Sequence, residues 1–329
     1  MKIALVGAGA IGRIHAANVA AHPEAELSIV CDTNKQAAEQ LATRHGGKVV
    51  ASVQAAMDAK PDGAIIASST ASHGDVAAAC IAAGVPFLCE KPLAEDLETA
   101  RRIATNAVSA GICAATAFNR RFDEGYSGIR DAILDGEIGQ IYTLIFTSRT
   151  VLPPTIEFAS TSGGLFGEKG AHFFDLARWI TGEEPSGVSA VGTAIINPDY
   201  LAIGHVDTAF VTLKMRSGIL CNFDFGWRAA YGQDERLEVN GENGMLQTLQ
   251  KPTGRHLKFD TDGGTHGGLM PTWLERFAPT YRMELDLFLN KVRGENASNL
   301  ASLDDGCRAQ AISDAAKKSV FSGQVETID

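Results

Sequence analysis

The hydrophobic positions of this 329-residue chain follow two different grammars. From Lys2 to about Thr116, short apolar runs (KIALVG, LSIVCD, GKVVA, GAIIAS, VPFLCE and GICAAT) are separated by Ala-rich helical segments. Strand and helix alternating in this way predict parallel pairing through right-handed crossovers. The expected first domain, residues 1–118, is therefore a doubly wound α/β sheet.

After about Phe118 the runs lengthen and their side chains alternate. In DTAFVTLKM, Ala209, Val211, Leu213 and Met215 share one face, and CNFDFGW sets Cys221, Phe223, Phe225 and Trp227 opposite Asn222, Asp224 and Arg228. Two unlike faces predict a large, mainly antiparallel sheet over a second domain, residues 119–329. Ahead of these strands, GAHFFDLARWITG predicts a helix with an apolar stripe of Phe173, Leu176, Ala177 and Ile180, closed by Gly182. Further helical patterns fall near Tyr281 to Val292 and Asp305 to Phe321.

Composition narrows the function classes. Hydrophobic residues at 45% and charged residues at 21% fit a globular chain. A formal charge of −10 would repel nucleic acid and anionic membranes, so small molecules are the expected partners. The six cysteines show no CxxC or metal-like spacing and read as reduced core thiols. No apolar stretch approaches the ~20 residues a membrane helix needs. With no signal-peptide pattern in MKIALVGAG, the expected compartment is the cytoplasm.

The first chemical motif is GAGAIG, residues 7–12, directly after a strand and opening a helix. Gly7 permits a tight turn, Gly9 lets the backbone approach a pyrophosphate, and Gly12 allows close helix packing. The second strand ends at Asp32, where a carboxylate can accept from both ribose hydroxyls of NAD. The same carboxylate would repel the 2′-phosphate of NADP, and DTNK offers no arginine, although Lys35 partly compensates. NAD is the expected cofactor. Ala10, Ile11, Ser68, Ser69, Thr70, His73, Glu90 and Lys91 complete the candidates for contact with it.

In open parallel sheets, ligands lie beyond the carboxyl ends of the strands. CEKPL sits at such an end, and its Lys91 could stabilise negative charge developing on a reacting oxygen. A third cluster, Glu168, His172 and Asp175 in GEKGAHFFD, is spaced to share the helix face opposite the apolar stripe. A histidine there suits removal of a hydroxyl proton, with a carboxylate to orient it or to hold a substrate hydroxyl. No third group of ligands supports a metal site, and none is expected. FNRRFD (with Asn119 and Arg121), TSR (with Arg149) and YGQDER (with Gln233) add the donors and acceptors that a polyhydroxylated ligand requires.

Together with GEIGQIYTLIFTSR, SGGLF, GHVDTAFVTLK and DGCRAQAISDAAKKS, these motifs resemble the glucose–fructose oxidoreductase/inositol dehydrogenase/MocA family over nearly the whole chain, and within it the inositol 2-dehydrogenases. The resemblance implies a Rossmann domain followed by a sheet domain with helices on one face, and a homodimer or homotetramer built through the open sheet face. It implies that Lys91 contacts the reacting hydroxyl and that His172 is the general acid/base. The family usually has aspartate where this chain has Glu168, an apolar or small residue at Lys169, aspartate at Thr150 and tyrosine at Gln233. All four departures lie in the substrate half.

The expected activity is NAD-dependent oxidation of a secondary hydroxyl of a cyclic polyol or sugar, with Lys91, His172 and Glu168 as catalytic residues. Lys91, Asn119, Arg121, Arg149, Glu168, Lys169, His172, Asp175 and Gln233 are the expected substrate contacts. Two rivals stand beside it: a dehydrogenase of a sugar acid or open-chain sugar, with Lys169 or Arg149 meeting the carboxylate, and a non-catalytic dinucleotide-sensing regulator.

Overall fold

The computed structural model describes residues 1–249 and 268–328, together with the backbone of a short hairpin, Leu257–Asp260 (β13) and Gly263–His266 (β14). The chain forms two compact units. The first comprises Met1–Asn119 and Thr280–Arg308, the second Arg120–Pro279 and Ala309–Asp329.

The first unit holds β1 (Lys2–Val6), α1 (Ala10–Ala21), β2 (Glu26–Cys31), α2 (Lys35–His45), β3 (Lys48–Val50), α3 (Val53–Asp58), β4 (Gly63–Ile66), α4 (Thr70–Ala83), β5 (Phe87–Glu90), α5 (Leu97–Ser109) and β6 (Ala114–Ala117). Each expected strand is present, and the sheet runs β3-β2-β1-β4-β5-β6 with every pair parallel. Strand order reverses between β1 and β4, which opens a crevice at their carboxyl ends.

The apolar runs are continuous because both faces are covered. Ile3, Leu5 and Ile65 pack into one core layer, and Ala4, Val6 and Ile66 into the other. Full burial of each Leu, Ile or Val contributes roughly 1.5–3 kcal/mol. Part of this cover comes from far along the chain. Leu285 and Leu289 of α10 (Trp273–Val292) join the first layer, and Leu303 and Cys307 of α11 (Leu303–Ser322) join the second. A single boundary at 118/119 assigns these residues to the second domain; their contacts place Thr280–Arg308 in the first unit. Apolar periodicity marks a helix but not the sheet that it covers.

The second unit centres on a seven-stranded sheet in the order β12-β11-β7-β10-β9-β8-β15. Its strands are β7 (Ile141–Arg149), β8 (Pro185–Thr193), β9 (Thr208–Met215), β10 (Leu220–Gly226), β11 (Asp234–Gly241), β12 (Gly244–Gln247) and β15 (Glu326–Thr327). All pairings are antiparallel except β7 with β10. The predicted faces hold: Ala209, Val211, Leu213, Met215, Cys221, Phe223, Phe225 and Trp227 are buried, while Phe210 is exposed. Helices α6 (Glu124–Leu134), α7 (Ile156–Thr161), α8 (Ala171–Thr181) and α9 (Asp199–Ala202) also belong to this unit.

Helix α8 ends at Gly182 in the left-handed conformation, as its sequence predicts. Its Phe173 and Phe174 meet Phe146, Phe223 and Phe225 of the sheet at centroid separations of 5.1–5.9 Å. The opposite face of α8 is not solvated: His172, Asp175 and Arg178 are buried as well.

Candidate active site

In the first unit the glycine loop has the geometry its sequence implies. Gly7 adopts φ +109°, and an added Cβ would stand 2.3 Å from Ala67 carbonyl atoms. A Cβ on Gly12 would lie 2.0 Å from the Gly7 oxygen, so the first turn of α1 can approach β1 only with glycine at that position. A Cβ on Gly9 would meet nothing within 4 Å, which leaves open space over the backbone. Gly9 is also the N-cap of α1 and supplies no side-chain cap, so the first N–H groups of that helix, at Ala10 and Ile11, are available to an anion.

Asp32 stands at the end of β2. Its Oδ2 accepts the Ala8 N–H and its Oδ1 the Asn34 N–H, both at 2.6 Å. Each carboxylate oxygen has a second lone pair, so the group is fixed in orientation and can still accept ribose hydroxyls. The loop, the uncapped helix and Asp32 fit a dinucleotide.

Ser68, Ser69 and Thr70 follow β4, with Ser69 as the N-cap of α4. His73, one turn into α4, is buried with Nδ1 2.8 Å from the Pro92 oxygen and Nε2 3.1 Å from the Ser68 oxygen. Both ring nitrogens thus face backbone carbonyls, and the imidazole is a strut between two loops. Burial holds its pKa below the usual value, against the upward pull of those carbonyls and Glu90.

Glu90 ends β5, and its Oε1 lies 2.7 Å from Nε2 of the buried His15. Lys91 follows, half-buried, at the carboxyl edge of the sheet. Asn119 is buried, and its amide donates to Thr280 Oγ1 at 3.0 Å.

In the second unit the strand register brings polar residues together at one end of the sheet. Arg149 stands opposite Gly226 on β10 and Asp234 on β11, and Ser148 opposite Glu235. Lys169 reaches this end from a π-helical turn, Leu165–Gly170, that leads into α8. Its Nζ donates to the Ser148 and Gly226 carbonyls at 3.2 and 3.1 Å. Burial pushes its pKa down to about 7, with Glu235 opposing the shift and Arg120 adding to it. The ammonium expected to meet substrate is therefore engaged by backbone.

Glu168 lies half-buried on the same turn. The turn is hydrogen-bonded i to i+5, so Glu168 does not keep the α-helical spacing to His172 that its sequence position suggests.

His172 Nε2 lies 3.5 Å from Arg120 Nη1. A guanidinium can only donate, so this nitrogen presents a lone pair. Arg120 also approaches Glu235 Oε1 at 3.8 Å and covers the Phe277 ring. Gln233 donates to the same Glu235 oxygen at 2.6 Å. Glu235 Oε2 and Ser148 Oγ are buried with no hydrogen-bond partner among the described residues, so the site retains polar capacity for hydroxyl groups.

Asp175 and Arg121, both expected to touch ligand, are held by each other. Arg121 Nε and Nη2 donate to the two Asp175 oxygens at 2.7 and 2.5 Å, and Asp175 is fully buried. Removing one partner of such a pair costs roughly 3–5 kcal/mol. Arg149 is engaged in a similar way, by Asp224 through Nε at 3.3 Å and Nη2, and by Tyr231 Oη at 2.8 Å.

Sequence reasoning did not select His15, Arg120 or Glu235. Arg120 and Glu235 adjoin chosen residues in FNRRFD and YGQDER, and His15 follows the glycine loop by three positions.

Residues 1–118 match the family model described as an oxidoreductase family with an NAD-binding Rossmann fold, and residues 126–247 match the GFO/IDH/MocA C-terminal domain. The myo-inositol 2-dehydrogenase of Thermotoga maritima is 32% identical over 97% of this chain and 96% of its own. The chain belongs to the GFO/IDH/MocA oxidoreductase family. The inositol 2-dehydrogenase of Rhizobium meliloti is 33% identical over 97% of both chains. Among solved structures, a myo-inositol dehydrogenase from Corynebacterium glutamicum superposes with a TM-score of 0.93 at 31% identity, covering 100% of this chain and 99% of its own. These matches bear out the two-domain fold and NAD as cofactor.

Proposed function

We propose that this family member is an NAD-dependent dehydrogenase that oxidises one secondary hydroxyl of a cyclic polyol of the inositol type to a ketone. The observation that carries the reading is the full-length likeness to inositol 2-dehydrogenases in a chain that keeps both Lys91 and His172. NAD, when bound, supplies the nicotinamide that accepts the hydride.

The protein's own residues handle the proton and the oxygen. As the substrate C–H bond breaks, the His172 imidazole takes the hydroxyl proton and the C=O bond forms, while Lys91 donates to the oxygen on which charge develops. Glu168, Gln233 and Glu235 are the groups we assign to substrate hydroxyls. We assign Arg121 and Asp175 to holding α8 in place rather than to ligand.

The state of the cations favours a neutral substrate over a sugar acid. Lys169 is committed to two carbonyls and Arg149 to Asp224 and Tyr231, so neither stands ready for a carboxylate.

We further propose a homo-oligomer in the cytoplasm. The outer sheet face exposes Ile145, Val191, Phe210 and Leu220, and all six cysteines are free thiols. Burial pushes the Cys80 and Cys221 thiols up to about 12, which keeps them protonated. Among the described residues no helix is long and apolar enough to cross a membrane.

The test is a panel of myo-inositol, scyllo-inositol, glucose and aldonates with NAD and NADP, followed by nicotinamide absorbance. Reduction of NAD by an inositol is expected. If only aldonates react the sugar-acid reading replaces ours, and if nothing reacts the sensor reading does.

A further inference from the structure

Lys91 is the residue to which the proposed reaction assigns the developing charge, and the structure shows how the chain on either side of it is held. Two buried histidines from different helices meet the residues that flank it. His15, on α1, is 1% exposed, and its Nε2 lies 2.7 Å from Glu90 Oε1. The Tyr281 ring packs against its imidazole in a T-shaped arrangement, with centroids 5.7 Å apart. Its Nδ1 has no hydrogen-bond partner among the described residues. The tautomer that carries its proton on Nε2 satisfies both facts, because it donates to the Glu90 carboxylate and leaves only a bare lone pair at Nδ1.

His73, on α4, is also 1% exposed and meets the residue on the other side, with Nδ1 2.8 Å from the Pro92 oxygen. A neutral imidazole has a single N–H to donate, and we assign it to Nδ1, the nitrogen with the shorter carbonyl contact, toward Pro92.

We propose that His15 and His73 are positioning residues that brace Glu90 and Pro92 and so fix Lys91 between them at the reacting oxygen. Neither histidine touches substrate in this scheme. Each converts a helix anchored in the sheet into a support for the loop after β5. The two supports come from separate helices, α1 and α4, both of which precede the loop in sequence. A displacement of about 1 Å at a reacting group can lower a rate about 100-fold, so the brace matters to turnover beyond its share in stability.

The inference rests on the proposed function for its kinetic arm, and a second arm is independent of substrate. Glutamine can reproduce a donor at the Nε2 position and asparagine a donor at Nδ1. H15Q and H73N therefore keep the bonds to Glu90 and Pro92, whereas H15M and H73Q lose them. With an inositol that the wild type oxidises, H15M and H73Q should lower kcat about 100-fold with little change in the Kd for NAD, and H15Q and H73N should recover most of it.

In the NAD-free protein, reductive methylation of the Lys91 amine, followed by mass spectrometry, should be faster in H15M and H73Q than in wild type, H15Q and H73N. Wild-type labelling in H15M and H73Q overturns the brace. Equal losses in all four variants, together with matching losses of thermal stability, reduce it to a packing role and overturn it as well. If labelling changes as expected but no polyol reduces NAD, the brace stands and the proposed function fails.

Discussion

At the scale of single residues, the proposed chemistry rests on Lys91 at the reacting oxygen and His172 at the hydroxyl proton. Lys91 and His172 stand out because their types suit the chemistry and their positions follow a strand end and a polar helix turn. Lys91→Ala should lower kcat about 100- to 1,000-fold, the range for removing one donor to a developing oxyanion, while the Kd for NAD stays near wild type. Turnover near wild type would remove Lys91 from the mechanism.

Lys169 shows what spacing cannot reveal. Its neighbours in sequence suggest a cation beside the substrate, but its amine lies under β7 and β10 and has a pKa of about 7. An unfolded lysine titrates near 10.4, so between about 7 and 10 the unfolded chain holds more protons than the folded one, and stability rises with pH across that window. Denaturation of wild type against Lys169→Met should show wild type gaining on the variant as pH increases from 7 to 10. A pH-independent difference would mean that the amine folds with an ordinary pKa. The Arg121–Asp175 pair was illegible for the same reason: residues 54 apart in sequence meet only through the packing of α8.

At the scale of elements, period was the reliable signal. Six continuous apolar runs became six parallel strands, buried on both faces in all but the edge strand β3, and alternating runs became the two-faced strands β9 and β10. The π-helical turn at Leu165–Gly170 left no such mark, because one wider turn disturbs the apolar stripe too little to be seen. The β1–α1 junction is the element most exposed to a single methyl group. Gly12→Ala sets a Cβ against the Gly7 carbonyl, which is backbone and has no rotamer to change. We expect a loss of roughly 1–3 kcal/mol in urea unfolding together with weaker NAD binding. Unchanged NAD affinity would show that the turn tolerates the shift.

At the scale of the whole molecule, the outer face of the seven-stranded sheet concentrates apolar surface, with Val191 and Phe210 paired across β8 and β9. Phe210→Glu should lower the oligomer order measured by light scattering without altering far-ultraviolet circular dichroism. A monomeric wild type would remove the proposed assembly. Domain order was legible in the change from continuous to alternating runs, whereas the return of Thr280–Arg308 to the first unit was not. That return matters while the protein is being made. A ribosome that has released residues 1–119 has released all six strands of the first sheet, but the leucines that cover its two layers, Leu285, Leu289 and Leu303, are still to be synthesised. The nascent sheet therefore remains incomplete until Leu303 has been added, and in the interval its apolar surface is open to whatever chaperone stands at the tunnel exit.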